Sequence, residues 1–378
     1  MAKTAEEKER KSFREALKLV RKIPDILVVD PEAEAIPRVP SGLIELDNLF
    51  GWGPRLNGEG WTCGVPVGRI VEVFGKEATA KTTLCLTLAL AYQKAGLRTV
   101  FLDYEQVLDW IYVGRLGLKF DLRNPEKELC SIFQPRCLED GLNAAMELIE
   151  TGEVGLLVVD SVTAMVPKAE LEGEVGDQFM GLQARLMSQT CRQMVGKIAR
   201  ARTTAVFINQ VREKIGVMFG NPETTTGGRA LKFYSSVRLE MSRASSTGKD
   251  GSSDVKIRFR KQKTAPPVGE PTAIYRVHPG QGFDRVQEVV RLGIHFGVIA
   301  KEKGEWKIGK VSVGRTNADV DKAIREKPDV IDDLAEEIRN RMRKGEPVSP
   351  GLDGGNPEEG GPGTSADLTE FENAGVEG

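Results

Sequence analysis

The sequence predicts an α/β protein built on a mostly parallel central sheet, with an N-terminal helix-strand appendage and a small C-terminal α/β lobe. Three observations predict it. Between Arg69 and Asn209, β-rich runs alternate with helix-prone stretches, the pattern of parallel strands joined by crossover helices. Before that core, Phe13, Leu17 and Val20 fall at i, i+4 and i+7 in an otherwise charged stretch, and a β-rich Ile26–Val29 run follows, so residues 1–35 read as an amphipathic helix plus a strand that must bury an apolar stripe. After the core, residues 283–344 turn charged and helix-prone around a turn region bearing Trp306.

Composition narrows the class. At 378 residues, 40% of them hydrophobic, the chain is long enough for two or three domains. Its apolar runs fall far short of the ~18 residues a membrane span needs, and the charged start, MAKTAEEKERKSF, lacks the apolar core of a signal peptide. A cytoplasmic protein with no membrane partner is expected. The five cysteines, Cys63, Cys85, Cys130, Cys137 and Cys191, are scattered without a CxxC pair, which argues for a reducing setting with neither disulfide framework nor zinc site. The two histidines, His278 and His295, read as structural. The formal net charge of -2 hides an asymmetry. Residues 345–378 hold eight acids and no Lys or Arg, leaving 53 basic against 47 acidic residues over 1–344. That tail also carries nine glycines and should be disordered.

Taken in order, the strand candidates of the core are Ile70–Phe74, Arg98–Asp103, Ser131–Phe133, Gly155–Asp160 and Thr204–Asn209. The helix candidates between them are Lys81–Lys94, Leu138–Glu150 and Met180–Ala201. Three further β-like segments, Ser236–Ser242, Val255–Lys263 and Thr272–Val277, extend the sheet, so the core covers 36–282, while the Gly- and Pro-rich 51–68 reads as a loop.

The strand Ile70–Phe74 runs into Gly75-Lys76-Glu77-Ala78-Thr79-Ala80-Lys81-Thr82-Thr83 and then a helix. Strand, loop and helix in that order make a phosphate cradle, because loop amides and the helix N-terminus together favour an anion. Lys81 would reach the β/γ-phosphates of ATP, and the Thr82 hydroxyl would hold Mg2+. The usual pattern is GxxxxGK[ST], and Ala80 stands where the second Gly belongs. Its methyl group is tolerable at helical dihedrals and harmful if φ is positive. The apolar strand Gly155–Asp160 ends in a carboxylate placed to share the Mg2+, and the Phe101-Leu102-Asp103-Tyr104-Glu105 run offers Glu105 to polarise an attacking water.

With these residues, and with GEVGDQFMGLQARLMSQ at 173–189 and FINQVREKIGVMFGNPETTTGGRALKFYSSVRLE at 207–240, the chain resembles the bacterial RecA recombinase family over roughly residues 65–342. The resemblance implies a RecA-type P-loop ATPase core. It implies a DNA-dependent ATPase that forms a helical homo-oligomeric filament on single-stranded DNA, then engages double-stranded DNA for homologous pairing and strand exchange in recombination, repair and the SOS response. It leaves room for a repressor client and loader proteins. By position it makes Glu105 the catalytic carboxylate, Asp160 the Walker B acid, Asp109 and Tyr112 adenine contacts, and Gln210 the γ-phosphate sensor. Lys261 and Lys263 would reach into the neighbour's ATP site, and Phe233 would lie at a subunit interface. The DNA-binding set it implies is Glu172, Gly173, Met180, Arg185, Arg192, Arg212, Met218, Phe219, Gly220, Asn221, Thr226, Gly227, Gly228 and Arg229.

The residues support that assignment independently. From Gly196 to Arg238 there are eight basic residues against two acids. Backbone amides and hydroxyls in GNPETTTGG suit phosphate oxygens, while Ile215, Met218 and Phe219 suit contact with bases. The departures are Ala80, Lys76 where the family usually has Pro, Gln106 where it has His, Arg229 where it has Asn, and a longer 51–64 loop. They fit a diverged paralogue or a phage-type member. Two alternatives use the same core: a ring-shaped helicase or translocase, and a non-hydrolysing structural filament.

Overall fold

The computed structural model describes residues 15, 18, 35–124, 126–174, 177, 179, 181–213, 223–244, 248, 250–266 and 271–344. The expected N-terminal helix-strand lies outside the described residues apart from Glu15 and Lys18, which are helical, and the 345–378 tail lies outside them too. By internal contacts the chain divides into Met1–Ile36 and Pro37–Gly378.

Among the described residues the core sheet holds ten strands: β1 (Ile70–Gly75), β2 (Arg98–Asp103), β3 (Cys130–Phe133), β4 (Val154–Asp160), β5 (Thr204–Glu213), β6 (Glu223–Thr225), β7 (Val237–Arg243), β8 (Ser253–Gln262), β9 (Thr272–His278) and β10 (Gly282–Phe283). Their order is β10-β9-β8-β7-β1-β5-β4-β2-β3, with β6 paired to β5. The block β7-β1-β5-β4-β2-β3 is parallel. β8, β9 and β10 continue it antiparallel.

A parallel sheet needs both faces covered, so its strands read as continuous apolar runs. Alternate residues of those runs go to opposite sides. Val71, Val73, Val206 and Ile208 share one core with Leu84 and Leu88 of the Lys81–Lys94 helix. Ile70, Ala205 and Phe207 share the other with Leu142 and Ile149 of Leu138–Glu150 and with Met187, Met194 and Ile198 of Leu182–Ala201. These are fully buried positions, where Leu84→Ala or Leu88→Ala would cost about 2–5 kcal/mol.

Four elements differ clearly from expectation, the first being β5, which runs past the expected Asn209 to Glu213 because Val211–Glu213 pair with β6. The Gly/Pro-rich 51–68 segment pairs Trp52–Pro54 with Trp61–Cys63, and Val65–Pro66 with Arg38–Val39; runs of two or three residues are too short to show a period. The third helix begins at Leu182, because Gly181 takes a left-handed conformation (φ 73°) at its N-cap. Trp306 lies within a strand, buried in a three-stranded sheet of β11 (Ile299–Glu302), β12 (Glu305–Ile308) and β13 (Val311–Gly314).

That small sheet shares a third apolar cluster with the Arg285–His295 and Val330–Lys344 helices, and Ile44 of the Ile44–Phe50 helix joins it. A buried ion pair, Arg339 Nη2 to Asp47 Oδ2 at 2.9 Å, ties the last described helix to the Ile44–Phe50 helix. Losing one partner of such a pair would cost about 3–5 kcal/mol.

Candidate active site

The phosphate loop leaves the C-terminal end of β1, as ligand loops do in parallel sheets. Its first glycine is a steric requirement. A Cβ on Gly75 would sit 2.1 Å from the carbonyl oxygen of Met241 on adjacent β7. Lys81 opens the helix, buried, with Nζ donating to the Lys76 carbonyl at 2.6 Å, and the Thr79 hydroxyl donates to the same oxygen at 2.9 Å. Burial pulls the Lys81 ammonium below its ordinary pKa, and the carboxylates of Asp160 and Glu105 oppose that shift.

Ala80 takes the harmful conformation of the two set out above. It sits at the N-cap with φ 62° and ψ 28°, and Ala78 also has positive φ at 54°. A left-handed alanine costs about 1–2 kcal/mol. The loop therefore holds two strained alanines in its cradle.

Adjacent strand ends bring the acids to this loop. The Thr82 hydroxyl donates to Asp160 Oδ2 at 2.7 Å. Burial drives Asp160 up to about 7, with the Thr82 bond and Lys81 opposing and Glu105 and Asp103 reinforcing. Glu105 accepts a hydrogen bond from the Ser161 hydroxyl. Tyr104 N–H donates to the Asp160 carbonyl at 2.7 Å, so the Glu105 turn is pinned to the end of β4. Gln106 has φ 56° and donates its N–H to Asp103 Oδ1, whose other oxygen accepts from Gln134.

A buried carboxylate beside a threonine hydroxyl is a hard-oxygen pair suited to a small divalent cation, so Thr82 and Asp160 fit such an ion. Asp109 caps the Trp110–Arg115 helix by accepting from the N–H groups of Ile111 and Tyr112 at 2.9 and 3.1 Å. The Tyr112 hydroxyl donates to Thr83 Oγ1 at 3.0 Å, which sets that helix beside the phosphate loop. Gln210 stands on β5 directly opposite Gly75. The structure thus gathers Gly75–Thr83, Glu105, Tyr112, Asp160 and Gln210 around one loop.

Lys261 and Lys263 are not part of that group. Lys261 pairs with Arg238, and Arg238 with Glu72, whereas the loop leaves from Gly75, three residues or roughly 10 Å further along the strand. Lys261 Nζ donates to the carbonyls of Lys232 and Phe233 at 2.8 and 3.0 Å, closing the Ala230–Tyr234 helix. Burial, Lys263 and Arg238 all depress its pKa. Phe233 beside it is 66% exposed.

The candidate nucleic-acid residues divide. Met180, Met218, Phe219, Gly220 and Asn221 lie outside the described residues, as does the side chain of Arg212. Glu172 ends the Lys168–Glu172 helix and Gly173 follows, both exposed. Arg185 and Arg192 are exposed two turns apart on Leu182–Ala201, hence on one face. β6 pairs with β5 through Thr225 opposite Val211, which makes a hairpin stem. Gly227 follows at φ 79°, where a Cβ would also meet Val162 Cγ1 at 2.8 Å. Gly228 packs on Ala184, and Arg229 is exposed at the next helix start.

Sequence reasoning missed Ser161, Glu72 and Asn209. Glu72 is fully buried between Arg238 Nε and Asn209 Nδ2. The available signal was a charged residue and an amide inside apolar strands, which a buried sheet admits only with partners.

The RecA N-terminal domain family model matches residues 24–282. The chain is 43% identical to Protein RecA of Macrococcus caseolyticus over 82% of this chain and 83% of that one. It is 40% identical to Protein RecA of Thermus aquaticus over 90% of this chain and 96% of that one. Among solved structures it is similar to the RadB recombinase, with 19% identity, a TM-score of 0.46, and coverage of 65% of this chain and 98% of that one. A family model that matches residues 24–282, together with 40–43% identity to curated members over 82–90% of the chain, makes this protein a member of the RecA family.

Proposed function

We propose that the protein is a DNA-dependent ATPase that assembles as a helical filament on single-stranded DNA and carries out homologous pairing and strand exchange. The observation that carries the chemistry is the convergence on one loop of Lys81, Glu105, Gln210 and the Thr82–Asp160 contact at 2.7 Å. In this reading the Lys81 ammonium exchanges the Lys76 carbonyl for the β/γ-phosphates, and the loop amides take the remaining phosphate oxygens. Mg2+ held by Thr82 and Asp160 would neutralise phosphate charge. Glu105, oriented by the Ser161 hydroxyl, orients the attacking water and receives its proton. Gln210 reads the γ-phosphate from β5. Asp109 and Tyr112 flank the adenine.

Lys261 and Lys263, two strands away from their own phosphate loop and set back along the strand direction, belong to a neighbour's site. Charge stabilisation is the main resource in phosphoryl transfer, so hydrolysis would depend on assembly. Phe233, exposed beside the lysines, supplies apolar contact at the same joint. Glu172, Gly173, Arg185, Arg192 and the 226–229 stem, with Met180, Arg212 and 218–221, form the DNA-facing set. Double-stranded DNA as second substrate, a cytoplasmic location, the SOS response, a repressor client and loader proteins belong to the same reading.

ATP turnover with and without single-stranded DNA, beside strand-exchange and unwinding assays, tests it. DNA-stimulated hydrolysis with strand exchange is expected. Unwinding without exchange would favour a helicase, and filaments without stimulated hydrolysis a structural role.

A further inference from the structure

Asn209 stands in an apolar strand beside the residue assigned to the γ-phosphate, and its amide is fully committed. Nδ2 donates to Glu72 Oε1 at 3.1 Å and to the Thr226 carbonyl at 3.0 Å. Oδ1 accepts from the backbone N–H of Gln210 at 2.9 Å and of Thr226 at 3.2 Å. Only one amide orientation satisfies this set, because the Glu72 carboxylate accepts and cannot donate. The backbone ladder of the β5–β6 hairpin ends at Thr225 opposite Val211. At the next residue the Asn209 side chain supplies the missing donor and acceptor, holding Thr226 at both N–H and C=O. The hold is rigid at its root: Glu72 is fully buried on β1, the strand that becomes the phosphate loop, and Arg238 grips its other oxygen while lying 4.5 Å over the Phe74 ring.

We infer that Asn209, oriented by Glu72, is a positioning residue that couples the nucleotide pocket to the DNA-facing hairpin. One side chain fixes both the backbone of Gln210 and the point where the 226–229 stem leaves the sheet. A displacement of Gln210 on meeting or losing a γ-phosphate then moves Thr226 with it. The Arg238 end of the chain lies against Lys261, so the same polar line begins at the edge assigned to the neighbouring subunit. This inference rests on the ATPase and DNA-binding reading above.

The test is Asn209→Ala in the full-length protein. Two ratios are read: ATP turnover with over without single-stranded DNA, and affinity for a fluorescent single-stranded oligonucleotide with a non-hydrolysable ATP analogue over that with ADP. Both ratios should fall at least tenfold, while affinity for a fluorescent ATP analogue in the absence of DNA stays within about threefold. A change of packing alone would not erase the nucleotide dependence of DNA affinity. Wild-type ratios in Asn209→Ala would overturn the inference. Should that variant not fold, Glu72→Gln, which preserves volume and an acceptor oxygen, decides: a threefold or greater loss in both ratios supports the coupling, and unchanged ratios overturn it. Wild-type protein lacking DNA stimulation would bring down the parent reading instead, so the two failures are distinguishable.

Discussion

The phosphate loop leaves the C-terminal end of β1, the lysines lie two strands away at the end of β8 and roughly 10 Å back along the strand direction, and the two regions are built differently. At the loop, the buried ionisable groups meet partners within one chain: Lys81 has Asp160 and Glu105 nearby, Asp160 accepts from Thr82, and Glu105 accepts from Ser161. At the edge, Lys261, Lys263 and Arg238 crowd together, and the pKa of Lys261 is depressed by burial and by its neighbours. The carboxylate beside them, Glu72, is already engaged by Arg238 and Asn209, and Phe233 presents an open aromatic face. Under the proposed function, the phosphate loop and a cation cluster poor in acids would be complementary surfaces. The contrast teaches that the lysines do not complete the loop of their own chain, which under the proposed function makes them available to a neighbouring one.

The most severe way to break the comparison is at the loop. Lys81→Ala should abolish ATP binding and lower DNA-stimulated turnover by ~10²-fold or more; binding of a fluorescent ATP analogue and steady-state phosphate release measure both. At the edge, Lys261→Ala with Lys263→Ala should lower turnover by a comparable ~10²-fold yet leave nucleotide affinity of the unassembled protein unchanged. A matching loss of that affinity would place the lysines in their own pocket. Glu105→Gln separates chemistry from binding. It should keep analogue-dependent filaments visible by electron microscopy while slowing turnover ~10²-fold. The smallest effect concerns strain. Ala80→Gly relieves a left-handed alanine and should raise stability by about 1 kcal/mol in chemical denaturation; a loss of stability would contradict the strain seen at φ 62°.

Much of this was legible in the sequence, for a physical reason. Strands buried on two faces are largely apolar, so the core strands from Ile70 to Asp160 and the Lys81–Lys94 and Leu138–Glu150 helices could be placed within a residue at each end. The strand from Thr204 instead runs past the expected Asn209 to Glu213, where its sequence turns polar. The phosphate loop was legible because cradle chemistry dictates residue types at fixed spacing. Short pairings such as Trp52–Pro54 with Trp61–Cys63 were not, since three residues carry no period. The backbone state of Ala80 was posed as a question by the sequence, and only φ answers it. Glu72 and Asn209 stayed hidden because their meaning lies in partners 137 residues apart, a distance no local pattern spans.

The central claim is a site divided between adjoining subunits, and mixing defective chains tests it most directly. Lys81→Ala has lysines but no pocket, and the Lys261→Ala/Lys263→Ala double variant has a pocket but no lysines; each alone should be nearly inactive. In an equimolar mixture on single-stranded DNA, one junction type restores a whole site, so turnover should recover to roughly a quarter of wild type in a head-to-tail assembly. A mixture no more active than its components would contradict the account.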